Sequence, residues 1–393
     1  MNNSGEKQFN ITWIINIIVI FVFACTISLP WVFAHRSSEP RVSSAENRML
    51  KTYPSIKDDD GKINKNYISD YEEWLSDNLR GRQIIVPVYS MMQQKLFGRI
   101  VKNDIVEGKD HWLFTRSEEM LATYSHTDIP DEAMIDHYVS LFEGLNDILK
   151  QRNIRFYYFP CYDKVSIYPE YYTPGVFADG DCSRADIFIN ALETNTDIKV
   201  VDPKPALLSA KSENADIPLY FKSFDSNHWN WKGASIGYEV LMNEIDSDCA
   251  EDIRILKEDD YEIYNTEVCA DIYGYKYPYP ELIPEATLKS AEASEVPIES
   301  IKEPGIELGD SYTHEYVNPL AENDIRILLI NDSFVRMFLK DNIAESFAHT
   351  LSVNLTKLEN LETVIDEYDP DIVVLENTEF TFLQVMEYLE KFE

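Results

Sequence analysis

Apolar positions recur along this chain with two alternating periods. Between Tyr67 and Phe97, residues such as Tyr71, Trp74, Leu75, Ile84, Val88, Met91 and Leu96 fall mostly three or four apart, with a break near Gly81. That spacing predicts two helices meeting close to Asp77 and Arg82. Gly108-Lys109-Asp110 then reads as a turn into a short aromatic strand, His111-Trp112-Leu113-Phe114. The clearest helical stripe runs from Asp131 to Asn153, with Ile135, Tyr138, Phe142, Leu145 and Leu149 on one face and Asp131 at its start. Four shorter apolar runs read as strands: Ile154 to Pro160, Ile198 to Val201, Ile325 to Ile330 and Ile372 to Leu375, with a further helix near Ala185 to Leu192. Helices alternating with strands of this kind predict an α/β fold whose sheet is mostly parallel and covered by helices.

The N-terminus breaks this pattern. Ile11 to Ala34 carries no charged residue and is long enough to span a bilayer. A cleaved signal peptide is the competing reading. Its apolar core is shorter and ends in small residues, whereas Pro30-Trp31-Val32-Phe33 looks like an interfacial anchor, so an uncleaved transmembrane helix over 11–34 is favoured. Residues 1–10 are then a cytoplasmic tail and 35–66 a polar tether. The rest, 67–393, reads as one catalytic domain, interrupted at about 249–320 by an acidic insertion rich in Tyr and Pro. Lys7 on one flank and Arg36 and Arg41 on the other give only a weak orientation signal.

Composition narrows the partners. With 69 acidic against 35 basic residues, the net charge is −34, which argues against nucleic acid because nothing concentrates positive charge for phosphate. Outside the apolar run lie Cys161, Cys182, Cys249 and Cys269. Sequential pairing closes two short loops and suits an oxidising exterior, and four free thiols are the alternative. No Cys/His cluster points to a metal, and no cofactor is expected. The tyrosines of the insertion, among them Tyr273 and Tyr275, can stack on sugar rings, although ordinary edge hairpins use tyrosine too.

Two stretches carry chemistry. Ile325 to Ser333 delivers a serine from an apolar strand to a helix start, where backbone N–H groups point outward. Helix capping alone accounts for Asp332-Ser333. Upstream, Asp225-Ser226-Asn227-His228 offers a carboxylate and an imidazole from one tight loop, the pair a serine nucleophile requires. A structural histidine before a core Trp229 is the alternative for that half. Phe334, Lys164, Tyr168 and Arg336 are candidates for supporting an oxyanion or orienting substrate, and Trp229, Tyr273 and Tyr275 for contacting a glycan.

An ordered set of short motifs links these stretches: Glu46-Asn47-Arg48, Asp77 with Arg82, Gly108-Lys109-Asp110 with Trp112-Leu113-Phe114, Pro160 with Lys164 and Tyr168-Pro169-Glu170, Asp225 with His228-Trp229 and Gly233, Asp332-Ser333-Phe334, and Pro370-Asp371-Ile372-Val373 with Glu376. In this order the chain resembles the alginate O-acetyltransferase-like group of SGNH-hydrolase-like proteins, the AlgJ/AlgX type, in its membrane-anchored form. The resemblance implies a three-layer α/β/α flavodoxin-like fold and a triad of Ser333, His228 and Asp225. It departs in two places. One more residue separates Asp225 from His228 than the family's Asp-x-His-Trp allows, and Asn331 stands where a small Gly is expected.

The expected function is therefore transfer of an acyl group, such as acetyl, to a cell-envelope or exported polysaccharide through an acyl-serine. The resemblance implies a membrane-bound O-acyltransferase partner as acyl source and a catalytic domain held outside the cytoplasm, at the cell surface or in the periplasm. Two other readings share these residues: an esterase that removes such groups, and an inactive glycan-binding scaffold.

Overall fold

The computed structural model describes residues 11–33, 41–43, 48–57, 61–79, 82–173, 175–213, 217–302 and 313–392. Expectations for residues 1–10, for Glu46 and Asn47, and for part of the tether and the insertion lie outside them. Two compact units form. One comprises the described residues up to Lys102 together with Asp271–Tyr277, and the other comprises Asn103–Ala270 and the chain from Pro278 onward.

In the first unit, helix α1 (Ile11–Phe33) covers the uncharged run. Among the described residues no helix is long and apolar enough to cross a membrane. Strands β1 (Arg41–Ser43) and β2 (Arg48–Leu50) pair antiparallel within the stretch expected to be an extended tether. The two helices predicted around Gly81 are α2 (Tyr67–Asn78) and α3 (Arg82–Phe97). Asp77 is buried and accepts from the Lys51 N–H (2.9 Å), which fastens α2 to the chain just after β2.

The second unit opens with a hairpin of β3 (Ile105–Glu107) and β4 (Leu113–Thr115), followed by α4 (Glu118–Ser125) and α5 (Glu132–Gln151). Helix α5 starts where predicted, because the Asp131 carboxylate accepts from Met134 N–H (2.9 Å) and satisfies one of the unpaired first-turn donors. Strand β5 (Arg155–Cys161), α6 (Lys164–Ile167), α7 (Arg184–Asn195), β6 (Lys199–Val200), α8 (Lys204–Glu213) and α9 (Trp231–Asp248) follow. Strand β7 (Tyr261–Val268) precedes the β8 (Asp271–Ile272) and β9 (Tyr275–Lys276) hairpin, which belongs to the first unit, and pairs with β10 (Glu281–Leu288). Then come β11 (Ser294–Val296), β12 (His314–Val317), β13 (Arg326–Asn331), α10 (Ser333–Phe338), α11 (Lys340–Ala344), β14 (His349–Asn354), α12 (Leu361–Tyr368), β15 (Ile372–Thr378) and α13 (Phe382–Phe392).

Seven strands make one sheet in the order β11-β12-β14-β13-β15-β5-β6. The five from β14 to β6 are parallel, and β12 and β11 extend one edge antiparallel. Both faces are covered. Tyr158 of β5 packs edge-on against Phe142 of α5 (4.8 Å between centroids), while a side chain added at Gly237 of α9 would come within 3.5 Å of the neighbouring residue, Phe159. Consecutive strand residues face opposite ways, so helices lie on both sides, and a long apolar run such as β15 is buried throughout.

Three expectations are corrected here. A flavodoxin-like sheet orders its parallel strands 2-1-3-4-5, whereas here the last strand, β15, sits between the first (β5) and the third (β13), giving 2-1-5-3-4. Alternating helix and strand signals set parallel pairing, but neighbour choice depends on contacts far apart in sequence. The expected disulfides do not form: Cys161, Cys182, Cys249 and Cys269 are free thiols, and Cys161 is buried in the sheet while Cys182 is exposed. The segment read as a surface insertion is partly sheet, since β11 and β12 come from it and extend the sheet edge.

Packing at α9 gives a test. A Cβ at Gly233 would lie 2.2 Å from the Leu219 carbonyl oxygen, whereas one at Gly144, inside α5, meets nothing within 4 Å. Gly233→Ala is expected to destabilise by about 2–3 kcal/mol, and Gly144→Ala to stabilise by roughly 0.5–1 kcal/mol by reducing unfolded-chain freedom. Urea unfolding of the two variants checks the opposite signs.

Candidate active site

Strand β13 ends at Asn331, whose side chain turns into the sheet and donates to Ser352 Oγ (2.8 Å) and the Leu329 carbonyl (3.2 Å). Directed inward, it leaves the turn over Ser333 open, and the departure at this position is accommodated. Asp332 caps α10 by accepting from Phe334 N–H (2.9 Å). Its other carboxylate oxygen accepts from Thr378 N–H (3.0 Å), Thr378 Oγ1 (3.0 Å) and Thr381 Oγ1 (2.9 Å). Asp332 N–H in turn donates to Glu376 (3.0 Å). Burial, and then the charge of Asp332, push the fully enclosed Glu376 carboxyl well above its usual range. The serine turn is thus tied to the end of the neighbouring strand β15.

Ser333 is the first residue of α10, at the C-terminal edge of the sheet, where open α/β sheets place their sites. Its Oγ lies 2.7 Å from His228 Nε2. The other ring nitrogen, Nδ1, is 3.0 Å from Asp225 Oδ1. That oxygen also accepts from the backbone N–H groups of Asn227 (2.7 Å) and His228 (2.8 Å). The longer Asp225-to-His228 spacing therefore still closes into one loop. Burial alone would raise the Asp225 carboxyl, but the bond to His228, the charges of His228 and Lys164, and the Asn227 N–H outweigh it and hold it far below the usual carboxylate range.

The loop is held from outside as well. Lys164 is fully buried, and its ammonium donates to the carbonyls of Asp225 (2.5 Å) and Leu113 (2.8 Å). Its backbone N–H donates to Asn227 Oδ1 (3.0 Å), and Asn227 Nδ2 donates to Asp163 Oδ1 (2.6 Å). Strand β4 meets the same loop, with Thr115 N–H donating to the Ser226 carbonyl (3.1 Å). From the start of β10, the Glu281 carboxylate accepts three successive backbone N–H groups, those of Lys222 (2.7 Å), Ser223 (2.7 Å) and Phe224 (2.5 Å).

A cavity of about 340 Å³ opens over Ser333, lined among others by Thr115, Ser226, His228, Asn354, Phe380 and Gln384. Several sequence candidates do not serve there as expected. Lys164 lies beneath the Asp225 loop, where it holds the loop's backbone through the Asp225 carbonyl and does not line the cavity. Tyr168 is buried and its hydroxyl accepts from Leu219 N–H (2.9 Å), so it fixes a backbone turn. The Phe334 ring lines the cavity, but its N–H is already given to Asp332, which removes it as an oxyanion donor. Trp229 is fully buried behind His228, with its indole N–H on the Phe334 carbonyl (3.3 Å), and cannot touch a glycan. Arg336 is half-buried in α10 and does not line the cavity; Tyr273 and Tyr275 fall in the other unit, where Tyr273 and Gly274 take the left-handed turn of a tight hairpin.

Residues 105–270 match the family model described as SGNH hydrolase-like domain, acetyltransferase AlgX. Over this stretch, less than half of its length, the chain is similar to that family. The matched stretch includes Asp225 and His228 and ends before Ser333. Among solved structures, Bacillus cereus PatB1 is similar at 17% identity over 70% of this chain and 96% of that one, with a TM-score of 0.50. PatB1 with a sulfonyl adduct gives 18% identity over the same shares and 0.52, and the O-acetyltransferase domain of Pseudomonas putida AlgJ gives 15% identity, 72% and 98% coverage and 0.45. The PatB1 likeness is one of fold. No curated protein matches the chain.

Sequence reading missed Glu281, Asn227 and Asp163 as supports of this site. Glu281 sits in the acidic insertion, where one carboxylate among many gives no local signal. The buried lysine supplies a test. Burial lowers the Lys164 ammonium to about 7, against the pull of Asp225 and Glu281. The unfolded chain, with an ordinary lysine near 10.5, then binds the extra proton between those values, so this residue makes stability rise as pH increases from about 7 towards 10.5. Buried acids with raised values act in the opposite direction, equally in wild type and variant. Lys164→Met is expected to reduce the gain in stability between pH 7 and 9.5 relative to wild type, read by urea unfolding at the two values.

Proposed function

We propose that the chain is a serine-dependent O-acetyltransferase acting on a cell-envelope or exported polysaccharide. The observation that carries this reading is the continuous hydrogen-bonded line from Ser333 Oγ through His228 to Asp225 at the mouth of a cavity, in a chain similar over residues 105–270 to an acetyltransferase family. In the first half-reaction, Ser333 Oγ attacks the acetyl carbonyl carbon of the donor while its proton passes to His228 Nε2. The donor's leaving oxygen or sulfur takes that proton as the tetrahedral adduct collapses, which leaves an acetyl ester on Ser333. A sugar hydroxyl then gives its proton to His228 and attacks the ester carbonyl. The proton returns to Ser333 Oγ as the acetylated sugar departs. Asp225 stays ionised throughout, fixes the imidazole tautomer and stabilises the imidazolium.

The acetyl donor comes from a membrane-bound O-acyltransferase partner, and α1 anchors the chain with the catalytic domain outside the cytoplasm. Support for the anchor is the exposure of Ile18, Ile20, Phe21 and Phe23 along α1, an apolar surface that water does not favour. If water takes the place of the sugar, the same residues give an esterase, and product analysis with and without glycan separates the two outcomes.

Ser333→Ala should lower acetyl transfer from p-nitrophenyl acetate to polysaccharide by roughly a thousandfold or more and abolish labelling by a sulfonyl fluoride, the chemistry named for the PatB1 adduct. Retention of either activity rejects the acyl-serine. Glu281→Ala frees the backbone N–H groups of residues 222–224 without touching substrate. It is expected to lower kcat by about tenfold or more while KM for the acceptor changes little. A change confined to KM would show that Glu281 does not act through the Asp225 loop.

A further inference from the structure

Helix α3 is turned the opposite way from an ordinary surface helix, which hides its apolar side and shows water its polar one. Its covered side carries Pro87, which a side chain added at Gly274 of the β8–β9 hairpin would approach to 2.9 Å. The same side carries Ser90, buried with its hydroxyl donating to the Val86 carbonyl (2.9 Å). The outward side carries Ile84, Ile85, Val88, Tyr89, Met92 and Leu96, each between 45% and 70% exposed. At 3.6 residues per turn these positions fall within about 140° of one another, so they form one continuous stripe. Charge reverses over the same part of the chain. Residues 79–103 contain Arg80, Arg82, Lys95, Arg99 and Lys102 and none of the 69 acidic residues, although the whole chain carries −34. Lys95 and Arg99 are exposed, and the helical period places both on the stripe's side, at its C-terminal end.

We propose that α3 is an interfacial helix whose outward stripe lies in the headgroup layer of an anionic lipid bilayer. This goes beyond the acetyltransferase reading and does not depend on it. Apolar residues exposed singly are ordinary, but a contiguous stripe calls for a cover. A helix lying in the interface sinks such a stripe about 5–10 Å, to the boundary of headgroups and acyl chains, while its basic residues meet the lipid phosphates. A protein groove also covers apolar side chains. The charge pattern favours lipid, because each basic residue raises occupancy of an anionic surface about fivefold and each carboxylate opposes it. The acidic remainder of the chain is repelled by the same surface, which confines the contact to this segment. Helix α3 also belongs to the same compact unit as α1, the proposed anchor.

The full-length chain is reconstituted into nanodiscs of phosphatidylcholine, alone or mixed with phosphatidylglycerol, that contain a trace of lipid with a diazirine at the top of one acyl chain. After illumination, trypsin releases the peptide 83–95 from α3 and, as background, the peptide 117–150 that holds α5. Mass spectrometry is expected to find 83–95 labelled at least about fivefold above 117–150 in the anionic discs, with a several-fold fall in neutral discs and at high salt. Arg99→Glu should lower the labelling several-fold. Val88→Glu combined with Met92→Glu should reduce it to background, and because both side chains are exposed the urea unfolding midpoint should not move. Labelling at background in the anionic discs, equal labelling in neutral and anionic discs, or a doubly substituted chain labelled like wild type overturns the proposal. A stripe covered instead by a second copy of the chain or by another protein leaves 83–95 at background, which is the first of these results. Labelling of α1 in the same digest tests the anchor separately, and no readout involves Ser333, so failure of the transferase reading leaves this result intact.

Discussion

The carboxylate of Asp225 is the point on which the site depends, because it has to remain ionised inside a half-enclosed loop. Burial opposes that charge. One oxygen nevertheless accepts the backbone N–H groups of Asn227 and His228 and faces His228 Nδ1, and charge-assisted bonds of this kind are stronger than neutral ones. The lysine ammonium below it adds a positive charge without competing for the carboxylate, since its donors go to two carbonyls. The same loop geometry that keeps the charge also sets the imidazole plane, and with it the distance to Ser333.

Around this loop the molecule supplies supports from three separate places: β4, the start of α6 with the buried Asp163 just before it, and the start of β10. The serine side is built differently. Ser333 comes from a buried parallel strand, and its turn is fastened by Asp332 to Thr378 and Thr381. A braced loop and a buried strand end thus meet across 2.7 Å. Trp229, pressed between Phe334 and Gly237, fills the space behind the junction and fixes its depth.

Much of this was legible in the sequence. The periodic stripe ending in Asn153 gave α5 with its cap, the break near Gly81 separated α2 from α3, and short apolar runs marked β5, β6, β13 and β15. Asp225, His228 and Ser333 were also visible, because a tight Asp-x-x-His loop and a serine after a buried strand are local patterns. Local patterns erred where polar residues face inward. Lys164, Tyr168 and Trp229 read as site-facing groups, and each is enclosed by segments remote in sequence.

The sequence by itself determined which segments become helix or strand, since period, capping and strand length act over a few residues. It also determined that a serine would stand at a strand-to-helix turn. Tertiary structure alone decided that β15 enters between β5 and β13, that Asn331 turns inward, and that Glu281 holds the loop carrying Asp225. Each of these depends on which buried polar group finds which partner across tens to hundreds of residues, and no local propensity encodes that choice.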